Sequence, residues 1–169
     1  MNKENQSKIT ELIRQTKPLI FREMTHEKVM EKGAADYVTN VDVAVQNYLK
    51  EALEKEFPKI RLIAEEKENL GLDPDNSYWI LDPIDGTTNL IRDYHLSAVS
   101  LGLYENGEIT FGVVYNPFTE ELFYGAKGEG AYLNGAPIQV SNLPEFKDAV
   151  VSFGSSPYEK NRAKELFPI

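Results

Sequence analysis

The chain has 169 residues, with 18 Lys and Arg against 27 Asp and Glu, and a net charge of -9. This length predicts roughly one domain and is enough to bury a core, whereas the acidic balance excludes a surface built to bind nucleic-acid phosphates. The absence of cysteine excludes disulfides, zinc–thiolate sites and thiol nucleophiles. No stretch resembles a signal peptide or a membrane span, so we expect a cytoplasmic protein with no membrane partner.

The first third of the chain is predicted to be mostly helical. Apolar residues recur at helical spacing from about residue 5 to residue 31, and Pro18 is expected to kink or restart this helix. An extended segment at 36–39 precedes a second helical stripe over 41–57. Thr39 and Asp42 have the T-x-x-D spacing that is typical of a helix start.

The remainder is predicted to consist of strands and tight turns. Two strands, at 60–64 and 78–81, end directly before the acidic residues Glu65, Glu66 and Asp82. Further strands are predicted at 98–103, 110–115, 122–126, 130–133, 138–140 and 150–153, several of them separated by Asn-Gly turns. The pair Ser156-Pro157 predicts a helix over 158–166. This order of elements predicts an α+β layered domain that contains an antiparallel meander.

The densest chemical signal is W-I-L-D-P-I-D-G-T-T-N at 79–89, where Asp82 and Asp85 are three residues apart in a predicted stiff turn. Gly86 would let the backbone approach a ligand closely. If residues 86–88 open a helical turn, their amides offer an anion site beside two carboxylates that attract cations. Oxygen ligands of this kind suit Mg²⁺, and paired metal ions can activate water. The segment therefore predicts a metal-assisted phosphate site.

An ordinary Asx or Pro turn is the alternative interpretation of D-x-x-D alone. Further acids at another strand end (Glu65, Glu66) and at a helix start (Asp42) favour the metal site, because clustered carboxylates are costly without a cation. The sequence has no G-x-S-x-G motif and no P-loop. His26 is predicted to have a surface or packing role, and His95, near the candidate site, is a candidate for substrate contact.

Residues 79–89 resemble the signature of the inositol monophosphatase family, the Mg²⁺-dependent, lithium-sensitive sugar-phosphate phosphatases. Other segments agree with this resemblance: Lys32 followed by D-Y-V-T-N-V-D at 36–42, I-A-E-E at 63–66, F-G-V-V-Y-N-P at 111–117 and K-G-E-G-A-Y-L-N-G at 127–135. The resemblance runs from about residue 5 to the end of the chain and implies the layered αβαβα fold of that family.

The resemblance also implies roles for individual residues. Metal ligands would be Glu65, Asp82, the main-chain carbonyl of Ile84, and Asp85, for two or three Mg²⁺ ions, with Mn²⁺ as an alternative. Catalytic residues would be Glu65, Thr87 and Asp42, with Thr87 and Asp42 orienting and deprotonating the attacking water. Phosphate would bind to Asp85, Gly86 and Thr87, while Glu66 and Lys32 would support the site from outside it.

The implied function is hydrolysis of inositol monophosphate, or a related small sugar or polyol phosphate, by a metal-activated water. Fructose 1,6-bisphosphate, NADP and phosphoadenosine phosphates are alternative substrates. Family members continue into a second half with a W-D-x-A motif, whereas Trp79 is the only tryptophan here. We therefore expect residues 1–154 to form an N-terminal metal- and phosphate-binding domain, 155–169 to begin a truncated second half, and the C-terminal half to be absent.

Three origins of such a chain remain open at this point: an expressed N-terminal portion, a prematurely terminated product, or a chain that completes its site by association. A second functional hypothesis follows from them. The chain would be a non-catalytic module of the same fold that binds metal weakly and self-associates into a homo-oligomer, since a missing half would leave one face of the sheet uncovered.

Overall fold

The N-terminal segment forms two helices. The computed structural model describes residues 1–26, 28–33, 36–64, 73 and 75–152, without the side chains of 31–33 and 36–37. Helix α1 is Lys3–Arg14 and helix α2 is Thr16–Met24. The break falls at Gln15, so the predicted break at Pro18 is wrong. Pro18 is tolerated because it lies in the first turn of α2, where an N–H has no intrahelical acceptor.

A two-stranded hairpin follows the helices. Strand β1 (Val29–Gly33) pairs antiparallel with β2 (Asp36–Thr39), so the prediction that residues 29–31 continue a helix is wrong. Helix α3 (Asn40–Glu56) begins directly after β2. The predicted start is confirmed, because Thr39 is its N-cap and forms a reciprocal capping box with Asp42.

The main sheet has seven strands in sequential order: β3 (Arg61–Ala64), β4 (Tyr78–Asp85), β5 (Ala98–Glu105), β6 (Glu108–Asn116), β7 (Glu121–Ala126), β8 (Gly130–Leu133) and β9 (Ala136–Ile138). Strands β3 and β4 are parallel, and each later neighbour is antiparallel, which confirms the predicted meander. Because Ala64 pairs with Leu81, the chain leaves β3 beside the acidic end of β4.

Several predicted strand bounds differ from the structure, and β9 ends at Ile138, so that most of the strand predicted at 138–140 is wrong. Strand β4 continues through Asp85 instead of ending at residue 81. Residues 150–152 form no strand, and Phe153 lies outside the described part of the chain, as do the helix predicted over 158–166 and the predicted second segment 155–169. A short 3₁₀ turn at Phe146–Asp148 follows the sheet.

The core lies between one face of the sheet and the helices, which gives the α+β layered arrangement. Every second residue of the central strands faces this core, including Trp79, Leu101 and Val113, and the helices contribute Ile9, Ile13, Ile20, Val45 and Leu49. The alternation is the one expected when a sheet buries one face. None of the helices in the described part of the chain is long and apolar enough to cross a membrane.

Candidate active site

The D-P-I-D segment is the end of strand β4, distorted by a bulge. Asp82 pairs with Ser100 and Asp85 with Ala98, so that two residues on β4 oppose one on β5. Pro83 has no N–H to donate to the ladder, which explains why the regular pairing stops there. Residues 82–85 therefore form a bulged strand end and not the stiff turn that the sequence predicted. The bulge leaves the residues on either side in different surroundings: Pro83 and Ile84 are buried, whereas Asp85 is exposed.

Gly86 turns the chain from β4 into the short helix α4 (Thr87–Ile91). Its φ of 83° lies in the left-handed region, which favours glycine. A Cβ at this position would also lie 3.0 Å from the carbonyl oxygen of Leu96 and 3.1 Å from Asn89 Nδ2. Both the backbone conformation and the close neighbours therefore require glycine here.

Thr87 connects this turn to helix α3. Its Oγ1 lies 3.2 Å from Asp42 Oδ1 and 3.1 Å from the carbonyl oxygen of Ile84. A threonine hydroxyl has one hydrogen, so it can donate to only one of the two acceptors at a time. The structure thus brings three of the predicted site residues into contact, although they are up to 45 positions apart in sequence.

Asp42 is held rigidly below the turn. The residue is 4% exposed, and its Oδ2 accepts hydrogen bonds from Thr39 Oγ1 at 2.6 Å and from the Thr39 amide at 2.8 Å. Burial raises the pKa of the Asp42 carboxyl, and the hydrogen bonds from Thr39 and Thr87 oppose that shift. The arrangement is an oriented, almost fully buried carboxylate whose Oδ1 contacts the half-buried Thr87 hydroxyl.

The donor chemistry of the segment fits a hard divalent cation. Asp82 and Asp85 carry carboxylates and Ile84 offers a main-chain carbonyl, and Mg²⁺ prefers such oxygen ligands. Asp82 is half-buried on the sheet face that points away from the helices, and Asp85 is exposed. Within the described residues, no three Asp, Glu, His or Cys side chains are grouped closely enough to hold a metal ion. Glu65 and Glu66, the further acids predicted for this site, lie outside the described residues.

Other predicted residues lie at the margin of the site. Lys32 belongs to strand β1, and its side chain is not among those that the structure describes. His95 is exposed, stacks on Phe118 at 4.8 Å between ring centroids, and has Nε2 3.0 Å from Asp93 Oδ1. His26 is exposed just after α2, which agrees with its predicted surface position.

Two supporting residues were not predicted from the sequence. Ser97 is 2% exposed and donates a hydrogen bond from Oγ to the Gly86 carbonyl at 2.9 Å. Asn89 donates from Nδ2 to the Leu96 carbonyl at 2.9 Å. These two hydrogen bonds hold residues 96–97, which precede β5, against the turn at Gly86. The one available signal was Asn89 at the end of G-T-T-N, because Ser97 sits in an apolar run and looks like a strand residue.

Comparison with known proteins gives a consistent result. The sequence model of the Inositol monophosphatase family matches residues 1–166. The chain is 41% identical over 128 residues to Inositol monophosphatase 3 of Solanum lycopersicum, covering 73% of this chain and 47% of that protein. It is 38% identical over 136 residues to a Fructose-1,6-bisphosphatase/inositol-1-monophosphatase of Aquifex aeolicus, covering 79% of this chain and 50% of the relative.

Solved structures agree with the sequence comparison. An IMPase of Thermotoga maritima superposes with a TM-score of 0.83 at 31% identity, covering 96% of this chain and 64% of its own. An IMPase/NADP phosphatase complexed with Mg²⁺ and phosphate superposes with a TM-score of 0.75 at 30% identity, covering 85% of this chain and 54% of its own. The chain spans about half the length of the curated relatives that it matches.

Proposed function

The chain belongs to the inositol monophosphatase family, and from this premise we propose that it is a Mg²⁺-dependent phosphomonoesterase acting on small sugar or polyol phosphates. The observation that carries the proposal is the contact of Thr87 with Asp42 and Ile84 directly after the D-P-I-D-G segment. It joins an oriented carboxylate, a hydroxyl and a glycine in the left-handed conformation, next to oxygen donors suited to a divalent cation.

The hydroxyl of Thr87 relays a proton from the attacking water to the Asp42 carboxylate. When Thr87 Oγ1 donates its hydrogen to Asp42 Oδ1, its lone pairs can accept a hydrogen bond from the attacking water. As the water attacks phosphorus, its proton passes to Thr87 Oγ1 while the threonine proton passes to Asp42. The raised pKa of the Asp42 carboxyl favours this step, because a base with a pKa closer to neutral is a better proton acceptor.

The Gly86 turn receives the phosphate. Without a Cβ, the backbone at Gly86 can approach the phosphate oxygens, and we assign the Gly86 and Thr87 amides as hydrogen-bond donors to them. Ser97 fixes this turn by its hydrogen bond to the Gly86 carbonyl, so that the amides are oriented before the substrate arrives.

Asp82, Asp85 and the Ile84 carbonyl would hold the metal, with Glu65 as a further carboxylate; the roles of Glu65, Glu66 and Lys32 rest on the family resemblance. When bound, the cation supplies positive charge that offsets the phosphate charge and lowers the pKa of water. Asp85 is exposed and therefore accessible to both cation and substrate. We expect Mn²⁺ to substitute for Mg²⁺ and lithium to lower the rate.

Inositol monophosphate is the proposed substrate, with fructose 1,6-bisphosphate, NADP and phosphoadenosine phosphate as alternatives. The name of the Aquifex aeolicus relative supports fructose 1,6-bisphosphate as an alternative, and the name of the IMPase/NADP phosphatase supports NADP. A direct test is phosphate release from each compound at a fixed Mg²⁺ concentration. Faster phosphate release from inositol monophosphate than from the other compounds supports the proposal. The proposal is contradicted if the native chain releases phosphate from every compound no faster than Asp85→Asn does.

A second candidate function is a non-catalytic module that keeps the fold and binds metal weakly. It is favoured by the exposure of Val114 and Phe123 on the sheet face that the described helices leave open. Calorimetry with Mg²⁺ distinguishes the two functions, because a module of this kind would release heat of weak binding while its phosphate release stayed at background.

A further inference from the structure

A small cavity lies between helix α1 and the turn that joins β7 to β8. Its volume is about 200 Å³, and we call it the α1 cavity; its lining residues are Lys3, Gln6, Ser7, Thr10, Tyr124, Glu129 and Tyr132. The turn follows Ala126, which pairs with Phe111 in the first half of β6. Gly86, in contrast, follows the end of β4 that pairs with the start of β5. Since β5 and β6 are antiparallel, the cavity and the candidate active site lie at opposite edges of the sheet.

Gln6 is the most buried residue of this lining, and its amide has a fixed orientation. It is 6% exposed, and its Nε2 donates to Glu129 Oε2 at 2.8 Å and to the carbonyl oxygen of Met1 at 3.2 Å. Only the NH₂ end of the amide can satisfy two acceptors, so the positions of its nitrogen and oxygen are determined. Both hydrogens are then used, and Oε1 is the atom of Gln6 that is left to accept a hydrogen bond from a ligand.

Two hydroxyls of the lining are also left as acceptors. Thr10 Oγ1 donates to the carbonyl oxygen of Ser7 at 2.9 Å, and the Tyr132 hydroxyl donates to the carbonyl oxygen of Glu129 at 3.1 Å. A hydroxyl that has donated its one hydrogen can only accept further hydrogen bonds. Together with Gln6 Oε1 and the Glu129 carboxylate, these hydroxyls make the lining rich in acceptors.

The same lining supplies donors, and its charges cancel. Lys3 carries an ammonium group, and Ser7 and Tyr124 carry hydroxyls. The Lys3 ammonium and the Glu129 carboxylate together leave the cavity without net charge. A phosphate would meet the Glu129 carboxylate and a simple cation would meet the Lys3 ammonium, so like-charge repulsion disfavours both. The cavity therefore suits a neutral molecule that both donates and accepts hydrogen bonds.

Two tyrosine rings give the cavity an apolar wall. Tyr124 and Tyr132 are register partners on β7 and β8, and their rings stack with centroids 5.1 Å apart and planes 16° apart. Tyr124 also packs against the core, which holds the ring pair in place. An aromatic wall beside a few oriented polar groups is typical of small-molecule sites.

From this geometry we propose that the α1 cavity binds a neutral polyhydroxylated ring, a cyclic polyol or a monosaccharide. Each hydroxyl of such a ring donates one hydrogen bond and accepts two, which matches the mixed lining. The volume of about 200 Å³ lies below the roughly 300–1,000 Å³ of sites for larger ligands, so it takes a single ring and not a nucleotide. The proposal does not depend on phosphatase activity, because it concerns other residues at another edge of the sheet.

Amide chemical-shift mapping with myo-inositol tests the proposal on the full chain. A ligand of this size binds weakly, so we expect a dissociation constant of about 1 mM and a titration up to about 50 mM. The amides of residues 3–10 and 124–132 should shift in a saturable manner, whereas those of Gly86 and Thr87 should not. Shifts at Gly86 and Thr87 alone would place the polyol in the candidate active site; they would overturn this proposal and leave the proposed activity untouched.

Variants on α1 test whether the cavity itself binds the polyol. Ser7→Leu fills the cavity from an exposed helix position and should raise the dissociation constant by at least about tenfold. Lys8→Leu is the matched control, because Lys8 is the next exposed residue of α1 and does not line the cavity; it should leave the constant unchanged. Thr10→Val keeps the shape of the side chain and removes one acceptor, so it should weaken binding about two- to tenfold.

Two further probes separate the classes of ligand. Butylammonium and inorganic phosphate should each shift the cavity amides less than myo-inositol does at the same concentration. A larger response to either ion overturns the proposal, since it would make the cavity a site for charged ligands. Absence of saturable shifts with myo-inositol, or equal binding by Ser7→Leu and the native chain, also overturns it. If Ser7→Leu fails to fold, the comparison of Thr10→Val with Lys8→Leu decides.

Discussion

The Thr87 hydroxyl lies 3.2 Å from Asp42 Oδ1, and this contact ties the turn after β4 to the first turn of α3. Asp42 is in turn fixed by two hydrogen bonds from Thr39, so the carboxylate cannot rotate without breaking the capping box at the start of α3. The same residue therefore serves the stability of α3 and, in the proposed mechanism, the proton transfer. Mutations at either end of the contact should separate these two roles.

Replacing Thr87 should affect the rate more than the fold. Thr87→Val keeps the shape of the side chain and removes the hydroxyl, so we expect kcat to fall by about 10² to 10⁴-fold, the usual contribution of general acid–base catalysis. Thr87→Ser keeps the hydroxyl and should stay within about tenfold of the native rate. The measurement is phosphate release, with thermal unfolding of both variants as a check on folding; equal rates for valine and serine would refute the role of the hydroxyl.

Burial of Asp42 predicts a particular pH dependence of stability. Its pKa is raised above the ordinary 3.8, so the folded protein binds this proton more tightly than the unfolded chain does. The stabilisation is fully present below that ordinary value and is lost as the pH rises through the raised pKa. We therefore expect the difference in free energy of unfolding between the native chain and Asp42→Asn, measured by urea titration, to fall as the pH rises from the ordinary pKa of 3.8 through the raised pKa. A difference that grows with pH would mean that the Thr39 and Thr87 hydrogen bonds outweigh burial.

Gly86→Ala should destabilise the chain more than an equivalent change in an open turn. Gly107 has the same left-handed backbone, with φ of 84° against 83°, but a Cβ there meets nothing within 4 Å. Gly107→Ala therefore measures the conformational cost alone, about 1 kcal/mol. Gly86→Ala adds the close approach to Leu96 and Asn89 and should cost at least about 1 kcal/mol more in the free energy of unfolding. Equal losses would show that the neighbours yield without cost.

Divalent cations should stabilise the chain through Asp85. A ligand that binds only the folded state at a hundredfold excess over its Kd adds about 2.7 kcal/mol, so Mg²⁺ should raise the Tm in a concentration-dependent manner. Asp85→Asn should shrink this rise, whereas Asp75→Asn, another exposed acid close by in sequence, should not. If both variants respond to Mg²⁺ like the native chain, Asp85 is not a ligand.

Local signals in the sequence predicted the elements and several residues of the site. The capping pair Thr39 and Asp42 depends on residues only three positions apart, and it was predicted correctly. Pro18 shows the limit of such signals, because the same residue breaks a helix interior and suits a first turn. The prediction placed the break at the proline, whereas α2 begins two residues before it, at Thr16.

Features that depend on register were beyond the sequence. The bulge at Pro83 appears only when β4 is aligned with β5. Ser97 was missed for the same reason: its partner, the Gly86 carbonyl, is eleven residues away across a turn. The predicted roles of Glu65 and Glu66 stay predictions, since these residues lie outside the described part of the chain.

The most direct test of the proposed activity is the rate of phosphate release from inositol monophosphate as a function of Mg²⁺ concentration, measured side by side for the native chain and Asp85→Asn. The proposal predicts a native rate that rises to saturation with Mg²⁺ and vanishes with a chelator, and a variant rate near background. Equal rates in the two proteins, or a native rate that ignores Mg²⁺, would contradict it.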